Sequence, residues 1–380
     1  MSGLVPREQF ALDPDVSYWN HGGYGAVPRP VTAAQERLRA GIEANPTRAF
    51  GPGWAELVAP SRERAAQLLR ARPADVLPVA NATTGTQTVL ASLTWSPGDR
   101  VVVTDHAYPG VAAQVARLVA RHGVEAVIVL TEPVATLAAR VAGVLDERTR
   151  LVVVDQVTSP SALVLPVADI ARTVHAWAVP VLVDAAHAPG QLELDVPALG
   201  VDYWTGNLHK WAAVPRACGV LWVAPAVRAG LVPLLPSVGH LFAPEDAEYG
   251  WPGTHDPTPW LAVPAGLDWL ADVGADRLRA HAAGMLGEAT ARVTEVLAGC
   301  VVSEAHPPCM VALALPLRLD DTVARAVMDA CYRTSGVELV VSQTPGHSYL
   351  RLCAYAYTDE RDVDRLVEAV RGQADALCGR

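Results

Sequence analysis

Short apolar runs alternate with longer stretches of helical period through most of the chain. The run ending at Asn81, those at 101–104, 126–130 and 150–154, those within VPVLVDAAH and LGVDYW, and the one at 219–223 predict strands. Their near-continuous apolar character, rather than strict alternation, marks strands buried on both faces. Between them, 33–43, 54–72, the segment opening at Ala82-Thr83-Thr84-Gly85, 111–122, 134–145 and 167–178 place apolar residues at helical spacing. One strand followed by one helix, repeated, predicts an α/β fold with a wound, mostly parallel sheet wrapped by helices.

The pattern changes after 225. The stretch 225–259, which includes HLFAPEDAEYGWPGTHDPTPW, is rich in proline, glycine and aromatics. A loop of that length in a compact protein is functional or lies against a partner. Helices are expected at 260–273 and 276–297, a strand at 310–315, a helix at 321–334, a strand within YLRLCAYAY and a last helix at 360–377. The chain is therefore expected to divide into an N-terminal arm (1–20), a large domain (21–258) and a smaller C-terminal α/β domain (259–380).

Polar residues gather where the strands end, and open α/β sheets bind ligands in the crevice outside those carboxyl ends. VPVLVDAAH puts Asp184 at such an end, and GNLHKW puts Lys210 in the polar turn after the next strand. Lys210 is the sole lysine of the sequence; histidine aside, every other basic side chain is an arginine. Arginine cannot lose its proton at ordinary pH, whereas a lysine of lowered pKa can act as a nucleophile or form a Schiff base. A lysine and a carboxylate at one crevice are what a pyridoxal phosphate enzyme needs: an amine for the cofactor's aldehyde and an acid that keeps its pyridine nitrogen protonated. Chance survival of one lysine under an arginine bias is the alternative.

Other strand ends carry weaker signals. Ala82-Thr83-Thr84-Gly85 after Asn81 serves either as ordinary N-capping or as a phosphate cradle at a helix start. Asp105, His106 and Tyr108 follow the strand at 101–104, and an aromatic there either packs or stacks on a planar cofactor. Gln156, Thr158 and Ser159 stand at the mouth of the strand at 150–154. YWNHGGYGAVPRPV gives a glycine-rich turn with Asn20, His21 and Tyr24, either packed on the domain or forming a lip that touches substrate. Arg351 lies inside an apolar strand, where an unpaired guanidinium is costly, so it meets either a protein carboxylate or an anionic group of the substrate.

Composition narrows the class. At 380 residues, with 51% hydrophobic and 18% charged side chains, the chain suits a compact globular enzyme. A net charge of −10 argues against nucleic acid as a partner. No signal peptide opens the sequence and no apolar run is long enough to span a membrane, so neither secretion nor membrane attachment is expected. The six cysteines form no CxxC pair, which points to a reduced, cytoplasmic protein without a metal site.

Taken together, VDAAHAPG followed by GNLHKW, with YWNHGGYGAVP near the start and YAYTDERDVDRLV near the end, resembles the class V aminotransferases. These are pyridoxal phosphate enzymes of fold type I (aspartate aminotransferase-like), and the likeness is greatest to the isopenicillin N epimerase-like branch. By position, the resemblance implies that Lys210 is the Schiff-base lysine, that Asp184 partners the pyridine nitrogen, and that His187 lies beside the cofactor within reach of its phenolic oxygen. It implies phosphate contacts from Thr83, Thr84, Asn207 and His209, a stacking ring at Tyr108, where relatives often have histidine, and a phenolic-oxygen contact from Ser159. Thr254 in WPGTHDPTP matches a residue that the partner subunit offers to the phosphate, which implies a homodimer with shared active sites. Arg351 matches the arginine that holds the substrate's α-carboxylate. Cysteine desulfurases of this class carry a nucleophilic cysteine in a mobile loop or just upstream of that arginine; VSQTPGHSY has none, so persulfide chemistry is not expected.

The expected enzyme acts at Cα of a small amino-acid-like substrate, with Arg351 clamping the carboxylate and Lys210 removing the proton. Three outcomes start from that step: β-elimination from a cysteine-type conjugate by a carbon–sulfur lyase of specialised metabolism, epimerisation with Tyr108, His21 or Tyr24 as second acid, and transamination. Catalytic roles fall on Lys210, Tyr108 and His187, with Asn20, His21 and Tyr24 and the loop at 240–260 walling the substrate pocket. A degenerate, non-enzymatic binding module would have lost the lysine or the aspartate, and both are present.

Overall fold

The structure, a computed structural model, describes residues 2–238 and 251–379. Its strands in chain order are β1 Ser17–Tyr18, β2 Val76–Val79, β3 Arg100–Thr104, β4 Glu125–Val129, β5 Thr149–Asp155, β6 Val181–Asp184, β7 Tyr203–Asn207, β8 Gly219–Val223, β9 Val301–Val302, β10 Met310–Ala314, β11 Val337–Glu338, β12 Val340–Gln343 and β13 Ser348–Cys353. Seven of them form the central sheet, in the order β2-β8-β7-β6-β5-β3-β4. The pairs among β7, β6, β5, β3 and β4 are parallel, whereas β8 runs antiparallel to both β7 and β2.

The reversal at β8 has a local cause. A parallel return needs a crossover of a dozen or more residues, usually a helix packed across the sheet. The stretch 208–218 spends its length instead on the four-residue helix Leu208–Trp211 and a short, largely buried turn. Lys210 therefore sits in a tight reversal between two paired strands. Helices cover both faces of the sheet, which explains the continuous apolar runs: Leu151 to Val154 and Val181 to Val183 are buried without alternation.

The smaller sheet is antiparallel, in the order β12-β13-β10-β9. The helices Ala275–Val296, Asp321–Ser335 and Glu360–Gly372 turn Leu278, Met285, Val327, Leu366 and Val370 into its core. Sequence periodicity finds β10 and β13 but misses β9 and β12, which are short edge strands with few buried positions. Two expected helices are split. The segment 260–273 divides into Thr258–Leu261 and Val263–Val273, where Pro264 supplies no N–H and suits only a first turn. The segment 134–145 opens as a 3-10 turn, Val134–Thr136, before the short helix Leu137–Ala142.

The N-terminal segment is built into the C-terminal half. Ser17 and Tyr18 pair with Val337 and Glu338, Cys353 N donates to Trp19 O at 3.0 Å, and Phe10 packs edge-on against Trp269 and Tyr357. Among the described residues no helix is long and apolar enough to cross a membrane.

Candidate functional site

The carboxyl ends of β3, β5, β6 and β7 open on one cavity of about 220 Å³. Lys210 stands in it, presented by the short helix after β7. Close packing fixes that helix. Any Cβ on Gly25 would run into the carbonyl oxygens of Lys210 and His209, and one on Gly190, held at φ +89°, would strike the Trp211 backbone. The N-terminal turn and the APG turn after β6 thus clasp the lysine from two sides.

Lys210 Nζ lies 3.1 Å from His187 Nε2. Burial, then the charge of Arg351, lowers the lysine to about 8, opposed by the carboxylates of Asp184 and Asp155. His187 is itself buried, and desolvation, followed by the nearby Lys210 and Arg351 charges, holds it well below the usual imidazole range. It is therefore a neutral ring facing the amine, and its buried Nδ1 has no hydrogen-bond partner among the described residues.

Asp184 ends β6 with its Oδ1 accepting from Ala186 N at 2.9 Å. Burial raises its pKa, while the Ala186 amide and Lys210 oppose the shift. Asp155 ends β5 directly opposite it in the ladder and lines the same cavity. Sequence reasoning missed Asp155, although the rule that singled out Asp184, a carboxylate closing a buried strand, applies equally to it.

The start of the helix Ala82–Ser92 forms another wall. Asn81 caps it through Thr84 N at 2.8 Å, and Asn207 Oδ1 accepts from Ala82 N at 2.8 Å. Thr83, Asn207 and His209 line the cavity. Thr84 donates its hydroxyl to Asn81 at 3.1 Å and so takes part in the cap. His209 is pushed down to about 4, chiefly by burial, with its Nδ1 2.7 Å from Cys218 O. Tyr108, 40% exposed, and Tyr24, 67% exposed, stand at the rim.

Arg351 arrives from the smaller sheet. Its Nη1 donates to Ser159 O at 2.8 Å and Ser159 Oγ at 3.0 Å, and its Nη2 to Asn20 Oδ1 at 3.2 Å. Nε is buried without a partner, and among the described residues Arg351 makes no ion pair. Of the two readings open for this arginine, the ion pair with a protein carboxylate is not made among the described residues. The loop holding Ser159 is gripped by both halves of the molecule: Ser342 Oγ donates to Pro160 O at 2.6 Å, Ser303 Oγ donates to Ser161 O at 2.7 Å, and Ser161 Oγ bonds His106 Nδ1 at 2.8 Å.

Two expected substrate contacts are relocated. His21 is fully buried, stacked on Tyr355 with ring centroids 3.7 Å apart, and both its nitrogens are spent, on Tyr357 Oη and on the Lys210 carbonyl. Burial pushes it down to about 3, so it neither reaches substrate nor serves as a second acid. Asn20 is likewise buried and holds Arg351. Thr254 is exposed and lies outside this chain's own cavity. Of the loop expected to wall the pocket, 240–250 lies outside the described residues, while Trp251 packs edge-on against Trp54 at 4.7 Å. Cys353 is buried and its thiol is held up by burial, which makes it no nucleophile.

Comparison with known proteins accords with this geometry. Isopenicillin N epimerase of Streptomyces clavuligerus is 29% identical over 400 residues, covering 98% of each chain. An L-cysteine desulfhydrase of Arabidopsis thaliana is 30% identical over 271 residues, 66% of this chain and 60% of that one. Among solved structures, a lysine-to-alanine mutant of the protein C-DES, with glycine covalently linked to its pyridoxal phosphate cofactor, superposes with a TM-score of 0.82 at 25% identity, covering 97% of this chain and 99% of that one. C-DES is described elsewhere as a cystine C–S lyase in complex with its product cysteine persulfide, with a TM-score of 0.79 at 25% identity over 94% and 98% of the two chains. The aminotransferase class-V model matches residues 25–366, and the chain belongs to that family.

Proposed function

We propose that this protein is a pyridoxal phosphate-dependent enzyme that acts at Cα of a cysteine-type amino acid and eliminates its sulfur substituent. The observation that carries the reading is Lys210, the sole lysine, buried in the cavity with its amine lowered to about 8 beside a neutral histidine and a buried aspartate. The residues fit that cofactor. Asp184 can hold a proton on the ring nitrogen, Tyr108 can cover the ring, the unpartnered His187 Nδ1 marks a polar group without a protein mate, and the capped start of the helix Ala82–Ser92 offers amides and Thr83 to a phosphate. Bound there, the cofactor supplies an electron sink for the pair left at Cα.

Each protein group then has one task. Arg351, held flat by Ser159 and Asn20, binds the substrate carboxylate through its free donors and so orients the Cα–H bond. Lys210, neutral in a useful fraction near its pKa of about 8, takes the Cα proton. His187 remains neutral and accepts from the amine, which keeps Nζ aimed into the cavity. Elimination needs only that base and a leaving group at Cβ. Thr254 offered from a second subunit completes the phosphate contacts in a homodimer, in keeping with its position outside the cavity of its own chain.

Epimerisation is the second reading, favoured by the full-length likeness to isopenicillin N epimerase. It needs a second acid on the far side of Cα; with His21 removed, Tyr108 or Tyr24 must supply it. Incubating the enzyme with cysteine conjugates in heavy water separates the outcomes. Pyruvate and ammonia mean elimination, deuterated and racemising substrate means epimerisation, and conversion of the cofactor to its amine form means transamination. A wild-type protein that cannot be loaded to give a visible absorbance band lost in Lys210→Ala would refute the cofactor reading itself.

A further inference from the structure

Asp155 and Asp184 are Cα partners across the parallel β5–β6 ladder. Partners in such a ladder project to the same face, about 4.8 Å apart in strand spacing. Both are buried and both line the lysine cavity. Among the described residues neither forms an ion pair. Two adjacent desolvated carboxyl groups cannot both ionise at modest cost, so the pair keeps one proton. The environment says where. Asp184 accepts from the Ala186 amide at 2.9 Å, whereas among the described residues the only amide that meets the Asp155 carboxyl is its own. Burial first, and then the Asp184 charge, drives Asp155 well above the usual carboxylate range.

We propose that Asp155 remains a neutral acid beside Asp184 and so leaves Asp184 as the single anion that faces the cofactor's ring nitrogen. This rests on the reading that Asp184 serves that nitrogen. The charged and titratable neighbours allow it. From β6 the Asp155 carboxyl meets Asp184, and from the turn after β7 it meets Lys210. The helix Ala82–Ser92, packed on β6 and β7, carries no ionisable side chain. Next to β5 on the other side, Asp105 beyond β3 is held by Thr131 N and Oγ1 at 2.7 Å each, and His106 by Ser161. His187 bonds the lysine rather than either acid. A neutral acid at 155 keeps two negative charges from competing for Lys210 and for the ring nitrogen.

The test uses holoenzyme reconstituted with pyridoxal phosphate, its visible band recorded across the pH range in which the fold survives, together with cofactor dissociation constants. Asp155→Asn replaces the neutral acid with a neutral donor that has no proton to lose. It is expected to match the wild-type band and affinity at neutral pH within about threefold, and to lack one titration step that the wild type shows when the second proton leaves the pair. Asp155→Ala, which also has no proton to lose, is expected to lack the same titration step. If Asp155→Ala does not fold, Asp155→Asn decides alone. A tenfold loss of affinity or a displaced neutral band in Asp155→Asn overturns the proposal, because Asp155 would then be an anion. Retention of every wild-type titration step in Asp155→Asn overturns it too. A wild type that never develops the band brings down the cofactor reading and this proposal together, an outcome distinct from the other two.

Discussion

Replacing Lys210 by methionine should stabilise the apoprotein. The side chain is buried, and its amine falls from the ordinary 10.5 to about 8, chiefly by desolvation. At about 1.4 kcal/mol for each tenfold change in acidity, that gap is worth about 3 kcal/mol against the charged form. Below about pH 8 both native and unfolded chains carry the proton, so the whole cost is present. From about 8 to 10.5 the native state sheds the proton while the unfolded chain keeps it, the unfolded state binds more protons, and stability rises with pH. Above 10.5 both are neutral and the cost is gone. Methionine keeps the length and drops the charge. It also forfeits the attraction to Asp184 and Asp155, so the net gain expected near neutrality is about 1–3 kcal/mol. The assay is urea unfolding of the two apoproteins, compared by transition midpoint because a chain of this size need not unfold in one step. The variant should lead at neutral pH and its lead should shrink as pH rises. A variant less stable than wild type near neutrality, or a lead that does not change with pH, refutes the claim that the amine is a buried burden kept for chemistry.

The clamp, the cap and the glycine contact each carry a further expectation. Arg351→Lys keeps a charge but loses the planar fork that meets Ser159, Asn20 and a carboxylate together, so kcat/KM should fall by about ten- to a hundredfold, with the loss read from initial rates at several substrate concentrations. Thr84→Val should cost about 0.5–1 kcal/mol in unfolding midpoint, with cofactor affinity changed by less than about threefold in a spectrophotometric titration, because its hydroxyl serves Asn81. Gly25→Ala drives a methyl into the Lys210 and His209 carbonyls and should destabilise the protein by about 2 kcal/mol or more while lowering cofactor affinity.

What the sequence discloses follows from what each residue must do alone. The strands of the central sheet announce themselves because both faces are buried, and Asp184 and Lys210 stand out as charges placed at their ends. His21 misleads because a histidine in a glycine-rich turn near the lysine looks like a ligand contact. Only three-dimensional packing shows Tyr355 and Tyr357 arriving from the far end of the chain to occupy it. Thr84 is ambiguous for a gentler reason: hydroxyls at a helix start serve cap and cradle equally well, and its own reaches Asn81. The grip of Ser342 and Ser303 on the Ser159 loop leaves no trace in periodicity, since it is made between short edge segments remote in sequence.

The bond between Arg351 and Asn20 spans 331 positions of the chain. During synthesis the lysine cavity can take shape while its sheet folds, but the arginine proposed to bind the substrate carboxylate is made 331 positions after Asn20, which waits for it throughout. A nascent or prematurely terminated chain therefore has the amine and lacks the clamp. On the proposed function, any reactive carbonyl that reaches Lys210 in that interval meets a pocket that cannot yet tell an amino acid from anything else.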